Sequence, residues 1–337
     1  STGQDNVTDM WTAWTKAATN SIIAAQGRFG TSAYRAQNWS NPFELSITID
    51  QQQTWIVGFA FKLDGTTAVD YRLLAFHDQG TEQCYLQLNA TTLTLSAYRG
   101  NGTVLGTSTV ALTQGAYAYI EVKVKVHAST GTFEVRKDET VILTVTGANT
   151  QMSGANQANN IRFAAEGGSA NSIGYFDDIY ICDLNGLVNK DYLGNTFVES
   201  LFPNAPGTFE QWGRVDTALT NTRNWQSVDE MPPNSDTDYN VGSAVNQRDT
   251  YNFTDPAVDT EVFGVITDMF IRKQYAGSRN VTPVIYLSGT AYQGGTAYFG
   301  SDYQYTQQVF EYNPNAATAW TVPVIGTAEF GIQIIQP

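Results

Sequence analysis

Histidine and cysteine are almost missing from this chain, two of each in 337 residues, and their scarcity closes off several chemistries. His77 and His127 leave little for a Ser-His-Asp triad or a histidine metal centre, and both sit beside turn-forming residues, so they read as loop residues. Cys84 and Cys182 cannot build a disulfide framework. Each lies inside a strand-like run, so both read as buried free thiols, with a Cys84–Cys182 bridge as the lesser alternative. Charge is also sparse. Asp, Glu, Lys and Arg make up 15% of the residues, against ~25% in ordinary globular domains. What charge there is carries one sign, a net −14 from 18 basic and 32 acidic residues. No stripe of Lys and Arg overrides it, which excludes the basic footprint that nucleic-acid binding needs. No apolar run approaches the ~20 residues of a membrane span, so no membrane insertion is expected. The opening Ser1-Thr2-Gly3-Gln4-Asp5 lacks the basic and apolar regions of a signal peptide, and folding in a cytoplasm is the expectation.

The missing charge is replaced by Thr, Asn, Gln, Ser and Tyr, set in a β pattern. Ile120, Val122, Val124 and Val126 alternate with Glu121, Lys123 and Lys125, the period of a strand with one wet face. Ala128-Ser129-Thr130-Gly131 turns the chain into Thr132–Arg136, and Lys137-Asp138-Glu139 turns it again into Val141–Val145. Upstream, Phe43, Leu45, Ile47 and Ile49 alternate with polar neighbours, as do Trp55, Val57, Phe59, Phe61 and Leu63. Further strands are predicted near Arg72–His77, Gln83–Asn89 and Leu93–Tyr98, and the meander closes on Gly174–Asp183. Strands at this spacing with Gly and Asn punctuation predict a sandwich over 29–183. The stretch 1–28 is the one predicted helical segment, with Asp9 as cap and Met10, Trp11, Trp14, Ile22 and Ile23 near helical spacing.

Periodicity lapses at 184–200, which marks a domain junction. From 201 to 337 the texture changes. A tract from Pro203 to Val245 carries little strand pattern, which makes it a candidate interface. Strands resume at Glu261–Arg272, Val281–Leu287, Gln307–Tyr312 and Glu329–Ile335. The expected architecture is all-β: a first sandwich, then a second sandwich-like domain.

Two blocks carry a family resemblance. One runs from Ala118–Val126 through Phe176-Asp177-Asp178-Ile179-Tyr180-Ile181-Cys182-Asp183. The other is Asn224–Glu230 with Pro232-Pro233 and Asp236–Tyr239, ending in Trp320-Thr321 and Glu329–Ile332. Together they resemble tailed-bacteriophage virion proteins, with a concanavalin A-like (laminin-G-like) domain followed by a phage-specific β-rich domain. The resemblance implies a non-enzymatic structural protein of the virion without fixing its place there; a tail-associated role, as fibre, baseplate or adaptor, is favoured because a lectin-like sandwich suits contact with cell-surface glycans. Its partners would be other virion proteins and its own copies, most simply as a trimer, with contact to a host-surface glycan. The alternatives are a capsid decoration, a carbohydrate-binding adhesin and a polysaccharide-degrading enzyme.

Site residues are few. Lectin-fold glycosidases need two carboxylates sharing a strand face, whereas Asp177 and Asp178 are adjacent and point to opposite faces. No catalytic residue and no cofactor is therefore expected. Asp177 and Asp178 read as acceptors for turn amides, the alternative being a calcium site drawing also on Asp64, Asp70 or Asp78. The acidic run Asp229, Glu230, Asp236 and Asp238 reads as an ordered arm. Trp11, Trp14, Trp225, Pro232 and Pro233 are the interface candidates, because they lie outside a clear strand pattern. The tyrosines from Tyr286 to Tyr312 form a further candidate aromatic surface.

Overall fold

The alternating apolar residues form strands that turn one face inward. The computed structural model describes residues 14–16, 21–37, 45–65, 69–167, 173–256, 261–277 and 279–336. The chain divides into two compact units, Ser1–Val198 and Glu199–Pro337. The first unit contains β1 (Trp14–Lys16), β2 (Ser21–Ile23), β3 (Ala33–Gln37), β4 (Leu45–Gln52), β5 (Thr54–Asp64), β6 (Tyr71–Asp78) and β7 (Thr81–Leu88). It continues with β8 (Thr94–Arg99), β9 (Val104–Ala111), β10 (Ala118–Lys125), β11 (Gly131–Lys137), β12 (Thr140–Ala148), β13 (Ala158–Gly167) and β14 (Ile173–Cys182). These form two seven-stranded sheets, ordered β1-β4-β13-β6-β7-β8-β9 and β12-β11-β10-β5-β14-β3-β2. The unit is the all-β sandwich that the alternation predicts.

Its core is shared by both sheets. Phe59 of the second sheet meets Phe163 of the first edge-on at 5.5 Å, and Phe76 meets Phe133 at 6.5 Å. Leu45, Leu74, Leu86, Leu95, Ile120 and Val122 complete it, all fully buried. Neither cysteine is in a disulfide: Cys84 lies inside this core, and Cys182, expected to be buried, is half-buried on the second sheet.

Two local expectations need correction. Where the predicted N-terminal helix is described, Trp14–Lys16 and Ser21–Ile23 are strands; residues 1–13, Trp11 among them, and 17–20 lie outside the described residues. Strand β1 extends the edge at β4 and β2 pairs with β3. A short helix is marginal in water, and sheet edges offer these backbones partners that it lacks. The second correction concerns the wet face of β10. Glu121 is fully buried, because residues 191–198, ahead of the division between the units, lie along that face and bond to it.

The second unit contains β15 (Pro203–Glu210), β16 (Gly213–Asp216), β17 (Asp238–Val241), β18 (Arg248–Phe253), β19 (Glu261–Val262) and β20 (Val265–Ile271). β21 (Asn280–Leu287), β22 (Thr290–Gln293), β23 (Ala297–Tyr298), β24 (Gln304–Phe310), β25 (Trp320–Thr321) and β26 (Glu329–Gln336) follow. The main sheet runs β15-β18-β26-β21-β22, with β23 also on β21. Pairs β16–β17, β19–β25 and β20–β24 stand beside it. The tract from Pro203 to Val245 is thus more regular than expected. Its first strand tolerates Pro203 and Pro206 because it is an edge strand. Trp320, Ile285, Leu287, Ile325 and Phe330 form the core. Among the described residues no helix is long and apolar enough to cross a membrane.

Candidate functional site

The outer face of the first sheet carries the most chemically varied side chains. Successive strand pairings align Ser46, Arg162, Ala75, Tyr85, Tyr98 and Val104 in one cross-strand row. A second row joins Thr48, Asn160, His77 and Glu82. A third joins Arg72, Gln87, Ser96 and Thr107. Because side chains alternate along each strand, these polar and aromatic groups project away from the core that Cys84, Leu86, Leu95 and Ala97 help to fill.

At the centre stands a stack. Tyr85 and Tyr98 lie parallel, 5° apart with centroids 4.9 Å apart, close to the ~4.8 Å between neighbouring strands. The rings therefore stand up from the sheet side by side. The Arg72 guanidinium lies 3.8 Å over Tyr85 and reaches on to Glu82, where Nη1 donates to Oε2 at 2.8 Å. His77 Nε2 is 3.5 Å from the same carboxylate oxygen. Tyr85 is buried between its two neighbours, whereas Tyr98 is half-buried and ends the stack on the side of β9. Burial raises the Tyr85 phenol above its ordinary pKa, although Arg72 opposes the shift. Two neighbouring side chains also hold each other, Arg162 Nε donating to Asn160 Oδ1 at 2.7 Å. His77, expected in a loop, is thus on strand β6 within this cluster. His127 does cap a turn, its Nδ1 accepting from the amides of Ser129 and Thr130.

Asp177 and Asp178 lie elsewhere, on β14 of the second sheet, where the register to β5 shifts. Asp178 has a left-handed backbone at φ 49°. Asp177 Oδ2 accepts from the Arg28 amide at 2.8 Å and its Oδ1 from the Asp178 amide at 3.0 Å. Asp178 Oδ1 accepts from the Val198 amide at 3.0 Å, with Arg28 Nη1 3.7 Å from Oδ2. Burial first, then the Asp177 charge, pushes the Asp178 carboxyl up to about 6. The other calcium candidates are apart: Asp70 accepts from Gln87 and Ala90, Asp78 from Ser153 and Gln157, and Asp64 from Gly65. Among the described residues no three His, Cys, Asp or Glu side chains gather as a metal-holding group.

The interface candidates of the second unit divide in the same way. Trp225 is half-buried on a 3-10 turn, Asn224–Ser227. Its neighbour Asn224 donates through Nδ2 to the Trp212 carbonyl and to both oxygens of the fully buried Asp249, so this motif is framework. Pro232 is exposed and Pro233 half-buried. Of the acidic run, Asp236 pairs with Arg272 at 2.6 Å. Burial and the carboxylates of Asp238 and Asp229 raise Glu230.

No family model and no curated protein matches the chain. Solved structures do. A carbohydrate binding module, CBM66 from Bacillus subtilis, is 8% identical, with a TM-score of 0.33 over 51% of this chain and 96% of the module. The alginate lyase from Corynebacterium is 10% identical, with a TM-score of 0.36 over 53% and 86%. The Trypanosoma rangeli sialidase is 11% identical, with a TM-score of 0.35 over 49% of this chain and only 27% of that enzyme. The leading expectation from the sequence, a structural protein of a phage virion, is corrected by these matches, which include both carbohydrate-acting enzymes and a carbohydrate binding module. Their likeness is too distant to argue this chain's own activity, which rests on its side chains.

Proposed function

We propose that the chain binds a carbohydrate on the outer face of the first sheet and does so without cleaving it. The observation that carries this reading is the Arg72–Tyr85–Tyr98 stack. A sugar presents C–H faces that pack on aromatic surface and hydroxyls that seek donors and acceptors. Half-buried Tyr98 offers the first kind of contact. Glu82, Gln87, Asn160 and Arg162, held in register around it, offer the second. The raised Tyr85 phenol favours binding over chemistry, since a proton-abstracting tyrosine needs its pKa brought down toward the working pH.

The test is a panel of neutral and acidic polysaccharides, with affinity measured by calorimetry and chain cleavage followed in the same samples. Tyr98→Ala should weaken binding about tenfold or more, as loss of a central aromatic contact does, in a chain that still melts cooperatively. Unaltered affinity would move the site elsewhere. Turnover by the unsubstituted chain would replace binding with catalysis.

A further inference from the structure

In the second unit, β20 and β24 pair as a two-stranded ribbon whose inner face packs down, with Met269 and Ile271 against Val281, Ala297 and Ile334. The outer face is built differently. Ile266 pairs across the ribbon with Val309, Asp268 with Gln307, and Phe270 with Tyr305. Ile266 and Val309 are 53% and 58% exposed, Asp268 is exposed, and Phe270, Tyr305 and Gln307 are half-buried. The aromatic end is locked. Phe270 stacks on Tyr303 at 4.8 Å and 11°, with Tyr305 at 4.7 Å on the same ring. Tyr303 donates its hydroxyl to Asp236 Oδ1 at 3.1 Å, and Arg272, paired with Asp236, lies 4.6 Å over the Tyr303 ring.

We propose that this strip is a second carbohydrate site, independent of the one on the first unit, and that it takes a neutral glycan chain. From Ile266 to Phe270 it runs about 14 Å at the rise of an extended strand, with apolar surface at both ends and a carboxylate–amide pair between. That alternation suits a sugar chain, whose C–H patches lie on Ile266, Val309 and the ring edges while its hydroxyls donate to Asp268 and bond Gln307. An acidic glycan is disfavoured, because it would set its own carboxylates against the Asp268 carboxyl, which desolvation already holds above its ordinary pKa, and the nearby Arg272 is already neutralised by Asp236. A second copy of the chain fits worse. A two-fold contact sets a patch against itself, placing Asp268 near its own image in an interface centre, where charge is normally depleted.

The experiment uses the full chain in native gels cast with a neutral β-glucan, a neutral galactomannan or alginate, in a Tyr98→Ala background that weakens the first site. Retardation should persist in at least one neutral gel, be absent in alginate, and fall about tenfold in affinity on adding Gln307→Ala or Tyr305→Ala. Gln307→Ala touches a half-buried surface side chain, so it guards against loss of folding. No retardation of the Tyr98→Ala chain in either neutral gel would overturn the proposal, as would retardation that Gln307→Ala and Tyr305→Ala leave unchanged. Concentration-dependent dimerisation abolished by Val309→Asp would also overturn it by assigning the strip to self-association. Failure of the first site reads out separately, as an unchanged affinity when Tyr98→Ala alone is compared with the unsubstituted chain.

Discussion

Asp178 shows what a single residue does at a buried bulge. It is 7% exposed, holds the Val198 amide, and meets Arg28 only at 3.7 Å. Its carboxyl is therefore raised from 3.8 to about 6, a folded state that binds the proton more tightly than the unfolded one. Such a group adds stability as pH falls from about 6 toward 3.8, and at neutral pH its charge is a cost. Asn keeps the acceptor for Val198, carries no charge and tolerates left-handed backbone. Asp178→Asn should accordingly be neutral or stabilising at pH 7 and flatten this part of the stability profile. Melting curves between pH 4 and 7 decide it, and an Asn variant with the parent's slope would refute the assignment. Gly58 is the converse case: a Cβ there would lie 2.0 Å from the Tyr180 ring, so the ring's seat on β5 requires glycine.

At the scale of elements, residues 191–198 behave as a strap. The Leu193 amide donates to Tyr180 Oη, Gly194 to Glu121 Oε1, Asn195 to Glu139 Oε1 and Val198 to Asp178 Oδ1. These are side-chain acceptors instead of a strand ladder. Tyr192 is fastened by Arg136 at 3.6 Å from its ring centroid and by Lys123 at 5.5 Å, while Lys123 also bonds Asp191 at 3.0 Å. Tyr180 donates to Glu121 at 2.6 Å beneath it. Tyr192→Ala should cost about 1–2 kcal/mol, the scale of a cation–π contact plus lost packing. It should also speed proteolysis within 184–198. Cleavage and stability unchanged by the substitution would mean that the ring does not hold the strap.

At the scale of the whole molecule, the strap belongs to the first unit, which extends to Val198. A fragment 1–198 should melt in one cooperative step. Ending it at 183 removes the amides that satisfy Glu121, Glu139 and Asp178, each bond worth ~1 kcal/mol net. The melting temperature should then fall by roughly 6–12 °C, given about 2–4 °C per kcal/mol for a unit of this size. Equal melting temperatures for the two fragments would show the strap to be dispensable.

Alternation along the chain was enough to establish the all-β class. The strands on Trp55–Leu63, Ala118–Val126 and Val141–Val145 alternate so regularly that burying one face leaves little other choice. The sequence also supplied Tyr85 and Tyr98, each at an alternate position of a readable strand. What it did not show is that they stack. That depends on the cross-strand register, set by contacts among β6, β7 and β8 and by the bulges that shift it. Strand β13, inside the first sheet between β4 and β6, was illegible because Asn159, Asn160 and Arg162 interrupt its apolar pattern. β18 hid its strand character behind Asp249 and Thr250, polar residues buried only because Asn224, Tyr251 and Glu329 bond to them. The wet appearance of Glu121 and the helical spacing of 1–28 misled for one reason: local pattern records which groups want water or a helix, but only the packed chain decides which backbone and side-chain groups find partners first.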